Sequence, residues 1–293
     1  MVFLFVASLI WALSFGLIGN TLAGLPRAGI ATMRLLLSLL IFLPFMKRIP
    51  FKRALNLFGI GAIQFGIMYL AYMYSFNYLK SHEVVLLTIF TPIYLSLIND
   101  IQERSFNWRN LLIATLAVSG SAVILYHNES RINSLTGFIF VQISGICFAL
   151  GQLLYKRAFN HQEGHLPDKA DHHVFAWLYA GGVAVILPLA VIEWLRESPQ
   201  ISTIQIWTIA YLGIVASGIA FFLWNKGARM VGAARLAVMN NLKIPLGALI
   251  SLLVFKESAN LRALLCGSAL IGSAILITIA VGRHASSQEK SED

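Results

Sequence analysis

Ten apolar stretches run along the chain of 293 residues, and most of them are bounded by charged residues, proline or asparagine. Each has about the length of a helix that crosses the hydrocarbon core of a bilayer. Most connections are short, so consecutive helices are expected to run antiparallel. The pattern therefore predicts an all-α membrane protein with ten transmembrane helices. The stretches cover residues 2–20, 28–46, 56–78, 83–99, 109–126, 135–157, 174–195, 204–225, 231–254 and 261–282.

The composition agrees with this pattern. Hydrophobic residues make up 58% of the chain and charged residues 12%, whereas soluble domains carry roughly 25% charged residues. These values exclude a soluble globule and a disordered chain. The two cysteines, Cys147 and Cys266, lie in different apolar runs, so we expect neither a disulfide nor a metal site from them.

The charges predict the orientation. The net charge is +9, and no aromatic–basic motif of nucleic-acid binding accompanies it. If the N-terminus is cytoplasmic, the segments on that side hold 13 lysines and arginines, the outer segments hold 6 and the spans hold 3. Because cytoplasmic segments are enriched in lysine and arginine, both termini are predicted to be cytoplasmic. KRIPFKR, residues 47–53, contributes most to this bias.

The two halves of the chain repeat each other. GSAVIL, from Gly120, matches GSAILI, from Gly272, and Thr91-Pro92 matches Ile244-Pro245. Five spans in each half would insert the second copy upside down, an arrangement typical of secondary transporters with a site between the copies. An old duplication without transport is the alternative. The predicted division is a first repeat at 1–127, a second at 134–282 and a short polar cytoplasmic tail at 283–293.

Several motifs, in this order, resemble the EamA type of the drug/metabolite transporter superfamily. They are IWALSF at Ile10, Arg34 in the second span, Pro92 with Glu103, CFALGQ at Cys147, YLGIVASGIAFFLWNKGA at Tyr211, Pro245 followed by FKE, and LLCGSALIGSAILI. The resemblance implies two EamA-like repeats in a multi-pass permease of a bacterial inner membrane with both termini cytoplasmic. Such permeases are often exporters of amino acids, amines, carboxylates or related metabolites.

Lys243 lies near the middle of the ninth span, where a charge is costly and usually functional or paired. No acidic residue lies deep in any predicted span. Lys243 is therefore a candidate counter-charge for an anionic group of the substrate, and burial leaves a proton-coupled role open. The alternative is a lysine bonded to backbone carbonyls that Pro245 leaves free. Asn240 shares the helix face of Lys243, and Asn241 lies beside it.

Other polar and aromatic side chains share faces of predicted helices. The resulting cavity of aromatics, amides and one cation would suit an amphipathic metabolite. Packing between helices is the alternative for the stripe in the sixth span, and Trp224, near a span end, is expected in the interfacial belt. The candidate substrate contacts on these faces are Trp11, Ser14, Gln64, Tyr69, Tyr72 and Gln152. Met68 shares the face of Gln64 and Tyr72, and Gln142, Gly145 and Ala149 share the face of Gln152.

Three further residues are predicted to be structural or gating. Arg34 lies about two turns into the second span, where its long stem could reach the outer surface, and direct substrate contact is the alternative. Pro92 and Pro245 occupy matching places in the two copies. Each breaks one backbone hydrogen bond, so the pair is predicted to form hinges for alternating access or static bends.

Motifs for other functions are missing from the sequence. The connection 159–173 contains His161, His165, His172 and His173, but without the ligand spacing of a metal site. No P-loop, HExxH or nucleophile elbow occurs, so we expect no enzyme and no cofactor. We predict a secondary transporter, an exporter or exchanger of small metabolites that works by alternating access, as a monomer or a homodimer. A lipid or sugar-conjugate flippase and a non-transporting scaffold are the alternatives.

Overall fold

The computed structural model describes residues 1–79, 81–125, 134–160, 171–253 and 261–292, and these segments contain helices and turns but no strand. Seven helices in the described segments are long and apolar enough to cross a membrane, and the first helix of the chain contains a shorter apolar stretch, Val2–Ser14. The all-helical membrane class is thus confirmed, while the count of ten spans stays a prediction. Glu257, His161 and His165 lie outside the described residues.

The described segments form the helices α1 Val2–Thr21, α2 Arg27–Phe45, α3 Phe51–Ser75, α4 Ser81–Leu87 continued by Thr91–Glu103, α5 Trp108–Leu125, α6 Leu135–Asn160, α7 Asp171–Glu197, α8 Thr203–Arg229, α9 Ala233–Asn241, α10 Lys243–Leu253 and α11 Leu261–Glu292. Three of them change type in their interior. Helix α4 passes through a 3₁₀ turn at Thr88–Phe90, and α3 and α8 contain π-helical segments at Ala62–Ile67 and Leu212–Ile219.

Helix contacts follow a pattern that is nearly unchanged when the two halves of the chain are exchanged. Helices α2 and α7 pack against each other, and so do α5 and α11. The contact of α3 with α7 has its counterpart in that of α8 with α2, and the contact of α3 with α6 in that of α8 with α1. Likewise α4 packs on α6, and α10 packs on α1. This pairing is what two copies of one repeat would produce.

Both repeat-related prolines follow an interruption of a helix. Pro92 lies in the first turn of Thr91–Glu103, directly after the 3₁₀ turn of α4. Pro245 lies in the first turn of α10, after the turn at Leu242 that separates α9 from α10. Proline is tolerated in a first turn because its missing N–H would have no partner there. The two interruptions lie close together, since the Asn241 Nδ2 donates to the carbonyl oxygen of Ile89 at 3.1 Å.

Glycines allow α3 and α7 to cross in close contact. A Cβ on Gly61 would overlap the carbonyl oxygen of Leu178, and a Cβ on Gly181 would overlap that of Phe58. Small residues at such crossings let helix backbones approach and gain packing contacts in the absence of a strong hydrophobic force. This crossing places the second half of α3, with Tyr69 and Tyr72, beside the central cavity.

Candidate functional site

A cavity lies between α1, α2, α3, α4, α6, α8 and α10. Both halves of the chain therefore contribute to its wall. Six residues of the sequence-based site line it together: Trp11, Ser14, Arg34, Tyr69, Tyr72 and Lys243.

An aromatic cluster forms much of the cavity wall. The Trp11 ring lies 4.8 Å from the Phe221 ring and 5.7 Å from the Phe148 ring, between centroids, and Tyr69 lies 5.7 Å from Phe221. The Trp11 Nε1 donates to the carbonyl oxygen of Ala216 at 2.9 Å, which holds the indole in place against α8. Such a wall suits the apolar part of a ligand, because aromatic rings offer a large rigid surface.

Lys243 is buried at the start of α10 and lines the cavity. Its Nζ lies 5.9 Å from the centroid of the Phe148 ring, within the range of a cation–π contact. No described residue that lines the cavity is acidic. The described lining of the cavity is therefore apolar apart from hydroxyl groups and the two basic side chains, Arg34 and Lys243, and it suits an anion better than a cation.

Arg34 is also buried, so its side chain does not extend to the outer surface. Its Nε donates to the Ser217 Oγ at 3.1 Å, and its Nη2 donates to the Tyr69 hydroxyl at 3.3 Å. The guanidinium carbon lies 4.8 Å from the centroid of the Tyr69 ring. These contacts join α2, α3 and α8 at the cavity wall.

Four predicted contacts lie outside this cavity. The Gln64 amide exchanges hydrogen bonds with the Asn225 amide. The Gln152 Oε1 accepts a hydrogen bond from the Trp224 Nε1 at 2.8 Å, and the Asn240 Nδ2 lies 3.5 Å from the same Gln152 oxygen. The Asn241 Nδ2 donates to the carbonyl oxygen of Ile89 in α4. Their role in substrate binding stays a prediction; in this conformation they join helices.

The expectation for Trp224 is wrong. Its side chain is fully buried, and its ring lies 4.9 Å from that of Trp11, so it belongs to the interior and not to an interfacial belt. A tryptophan belongs to the interfacial belt only if the end of its helix reaches the membrane interface. Because α8 continues to Arg229, the end predicted at residue 225 was placed too early, and Trp224 lies inside the helix.

Sequence reasoning did not include several lining residues among the substrate contacts. The internal repeat could have indicated two of them, because CFALGQ matches IWALSF so that Phe148 corresponds to Trp11, and the offset of GSAVIL relates Phe221 to Tyr69. Nothing in the sequence singled out the hydroxyl residues. The additional lining residues are Ile18, Met68, Thr88, Thr91, Ser144, Gly145, Phe148 and Phe221.

An apolar helical bundle with a central cavity walled by both halves is an arrangement typical of membrane transporters. Comparison with known proteins gives the family: residues 1–126 and 135–279 match the EamA-like transporter family, and the chain belongs to it. The resemblance drawn from the motifs is thus confirmed. The chain is a multi-pass transporter of this family and not an enzyme.

Relatives of known name cover almost the whole chain. It is 35% identical over 278 residues to a probable biotin transporter of Pseudomonas aeruginosa, covering 94% of this chain and 96% of that protein. This chain is also 35% identical over 280 residues to the biotin transporter of Salmonella typhimurium and to that of Escherichia coli K12. Each of these two alignments covers 92% of this chain and 90% of the relative. A solved crystal structure shares the fold, with a TM-score of 0.73 at 15% identity over 96% of this chain and 98% of that one.

Proposed function

We propose that this chain carries a small carboxylate with an apolar body across the membrane, and that biotin is the first candidate. The observation that carries the proposal is an aromatic cavity whose described wall contains Lys243 and Arg34 and no acidic residue. Biotin combines a carboxylate on an aliphatic chain with an apolar bicycle, and the named relatives are biotin transporters. Amines, which the resemblance also allowed, are less well matched because two cations would repel them.

In this proposal Lys243 binds the carboxylate. The ammonium lies in a low-dielectric wall, where its attraction for an anion is stronger than in water. Trp11, Phe148 and Phe221 pack against the apolar body of the substrate, and Tyr69 and Tyr72 complete that wall. Gln64, Gln152, Asn240 and Asn241 join helices in the present conformation and would contact substrate only in another one.

The transport mechanism that fits this site is alternating access by a secondary transporter. We propose ten spans in two inverted repeats, 1–127 and 134–282, in a bacterial inner membrane with both termini and the tail 283–293 cytoplasmic. The halves would rock around the cavity, with Pro92 and Pro245 as hinges next to the two helix interruptions. Import, export and exchange are all compatible with this mechanism, and a proton gradient is the coupling to test first.

The test is biotin counterflow in proteoliposomes, with Lys243→Met, Lys243→Arg and the control Lys52→Met, whose lysine is exposed near the start of α3. We expect wild type and Lys52→Met to exchange biotin, Lys243→Met to lose at least about 90% of the rate, and Lys243→Arg to retain part of it because the charge remains. An imposed proton gradient that accelerates net uptake would indicate coupling. If folded wild-type protein moves neither biotin nor other carboxylates, the proposal fails and lipid-linked substrates become the better candidates.

A further inference from the structure

Arg34 is a buried cation without an acidic partner among the described residues. A guanidinium stays charged and carries five N–H groups. Two of these donate to the Ser217 and Tyr69 oxygens, and Nη1 lies 3.9 Å from the Met73 sulfur, a weak acceptor. A charge in this position needs further acceptors, because leaving it without them in an apolar wall is costly. The cavity that it lines is the place from which an acceptor can approach.

The Arg34 guanidinium is held in place by a closed set of hydrogen bonds. The Tyr69 hydroxyl accepts from Arg34 and donates to the Ser217 Oγ at 2.7 Å, so the same serine oxygen serves both partners. One turn along α2, the Ser38 Oγ donates to the carbonyl oxygen of Gly213 at 2.8 Å and ties α2 to α8. The orientation of the guanidinium is therefore set before a ligand arrives, which reduces the entropy lost on binding.

The two cavity cations contact different parts of the aromatic wall. Arg34 lies over the Tyr69 ring, and Lys243 lies near the Phe148 ring. The Phe221 ring touches both of these rings, at 5.7 Å between centroids in each case. The row therefore runs from Arg34 through three rings to Lys243, so that an elongated ligand lying along it would meet a cation at each end.

We infer that Arg34 is a second recognition point, which donates hydrogen bonds to an acceptor oxygen at the end of the substrate remote from its carboxylate. The inference rests on the proposed function, in which Lys243 binds the carboxylate. It defines the substrate class more narrowly, as an elongated carboxylate with an apolar middle and a carbonyl or similar acceptor at the far end. In biotin the acceptor is the carbonyl oxygen of the cyclic urea. Ser217 and Tyr69 act as positioning residues for Arg34.

The experiment compares ligands that differ only at the far end, by calorimetric binding to the purified full chain in detergent. In 2-iminobiotin a protonated imine, which is a donor, replaces the urea carbonyl, and nonanoate keeps the carboxylate and lacks the far acceptor. For wild type we expect biotin to bind at least about 100-fold more tightly than 2-iminobiotin, since a site built for an acceptor rejects a donor. In Arg34→Met this ratio falls below about tenfold, whereas the affinity for nonanoate changes less than about threefold.

The variants of Lys243 and of a distant arginine complete the comparison. In Lys243→Met the affinity for all three ligands falls, but the ratio of biotin to 2-iminobiotin remains near that of wild type. Arg157→Met serves as the matched control, because Arg157 is part-exposed and paired with Glu103 outside the cavity, and it leaves all affinities unchanged. If Arg34→Met does not fold, Arg34→Lys takes its place and gives an intermediate ratio, since a point charge cannot reproduce the planar donor array.

Several results overturn the inference. One is an unchanged ligand ratio in the folded Arg34 variant; another is an equal loss for nonanoate and biotin, which would mean that Arg34 supports the fold or binds the same carboxylate as Lys243. If nonanoate binds but biotin does not, biotin is not the substrate. Nonanedioate, which carries a second carboxylate at the far end, then replaces biotin as the ligand with a far acceptor when wild type and the Arg34 variant are compared. If no carboxylate binds, the proposed function fails and the inference fails with it.

Discussion

Gln64 of α3 and Asn225 of α8 exchange two amide hydrogen bonds, of 2.8 and 3.2 Å, and both side chains are fully buried. Each amide satisfies the other, so two polar groups cross the interface between the halves of the chain at little cost. Together with the contacts of Gln152, Trp224 and Asn240, this pair forms a polar layer next to the cavity. The layer ties the two halves to each other in the conformation described here.

Gln64→Leu alone is expected to lower the free energy of unfolding by about 1–3 kcal/mol, because it leaves the Asn225 amide buried without its partner. The double variant Gln64→Leu/Asn225→Leu should be more stable than either single variant. Thermal unfolding in detergent measures all three. Biotin affinity should change less than about threefold in the double variant, and a loss of binding there would place Gln64 in the substrate site.

Trp11→Ala should weaken substrate binding by about tenfold, since it removes the ring that contacts Phe148, Phe221 and Trp224 from the cavity wall. Trp11→Phe should retain most of the affinity but lose stability, because the hydrogen bond to the Ala216 carbonyl disappears. Calorimetric binding and thermal unfolding separate the two effects. Trp207→Ala is the matched control, since Trp207 is 72% exposed on α8; an equal loss there would argue against a specific role of Trp11.

Gly181→Ala should destabilise the protein by at least about 2 kcal/mol, because its Cβ would overlap the carbonyl oxygen of Phe58 and push α7 away from α3. Gly59→Ala is the control on the same crossing pair of helices, where a Cβ meets no atom within 4 Å. It should be neutral or stabilise the helix by up to about 1 kcal/mol. Folded yield and thermal unfolding in detergent report the difference, and similar behaviour of the two variants would contradict the close crossing.

Asp171→Asn should cost about 3–5 kcal/mol of stability, because it leaves the Arg229 charge buried beside a neutral group. The Asp171 Oδ2 lies 3.2 Å from the Arg229 Nη2, with side chains 1% and 10% exposed, and Tyr155 donates to the other carboxylate oxygen at 2.9 Å. Glu103→Gln, in the exposed pair with Arg157, should cost less than about 1 kcal/mol. Equal unfolding temperatures for the two variants would show that burial does not strengthen the Asp171 contact.

The face that holds Gln64, Met68 and Tyr72 shows where sequence reasoning stops. With a regular 3.6-residue period these residues share one side of a helix. The π-helical segment Ala62–Ile67 has more residues in each turn and rotates the part before it relative to the part after it. Met68 and Tyr72 therefore line the cavity, whereas Gln64 packs against Gly151 and Asn225. A π segment depends on packing against neighbouring helices, which a local pattern does not contain.

Asn240 and Lys243 show a second limit of prediction from the sequence. The spacing of these residues predicts the side of the helix that they share, but not how far along that side the cavity extends. Lys243 contacts Phe148, and Asn240 contacts Gln152, one turn further along the same α6. The two residues thus face the same helix, as their spacing predicted. Lys243 lines the cavity and Asn240 does not. Next to Asn240, the Gln152 Oε1 already accepts a hydrogen bond from Trp224 of α8, a contact that a local sequence pattern does not contain.

The sequence by itself determined the membrane class, the family and the candidate cation. Long apolar runs have few alternatives to membrane helices, ordered motifs survive in a family, and a lysine inside such a run is costly wherever the helix packs. The tertiary structure alone decided that the Arg34 side chain turns inward and that Trp224 is buried. These outcomes depend on which helices meet and at what depth, and the free energy of such packing comes from residues far apart in the chain.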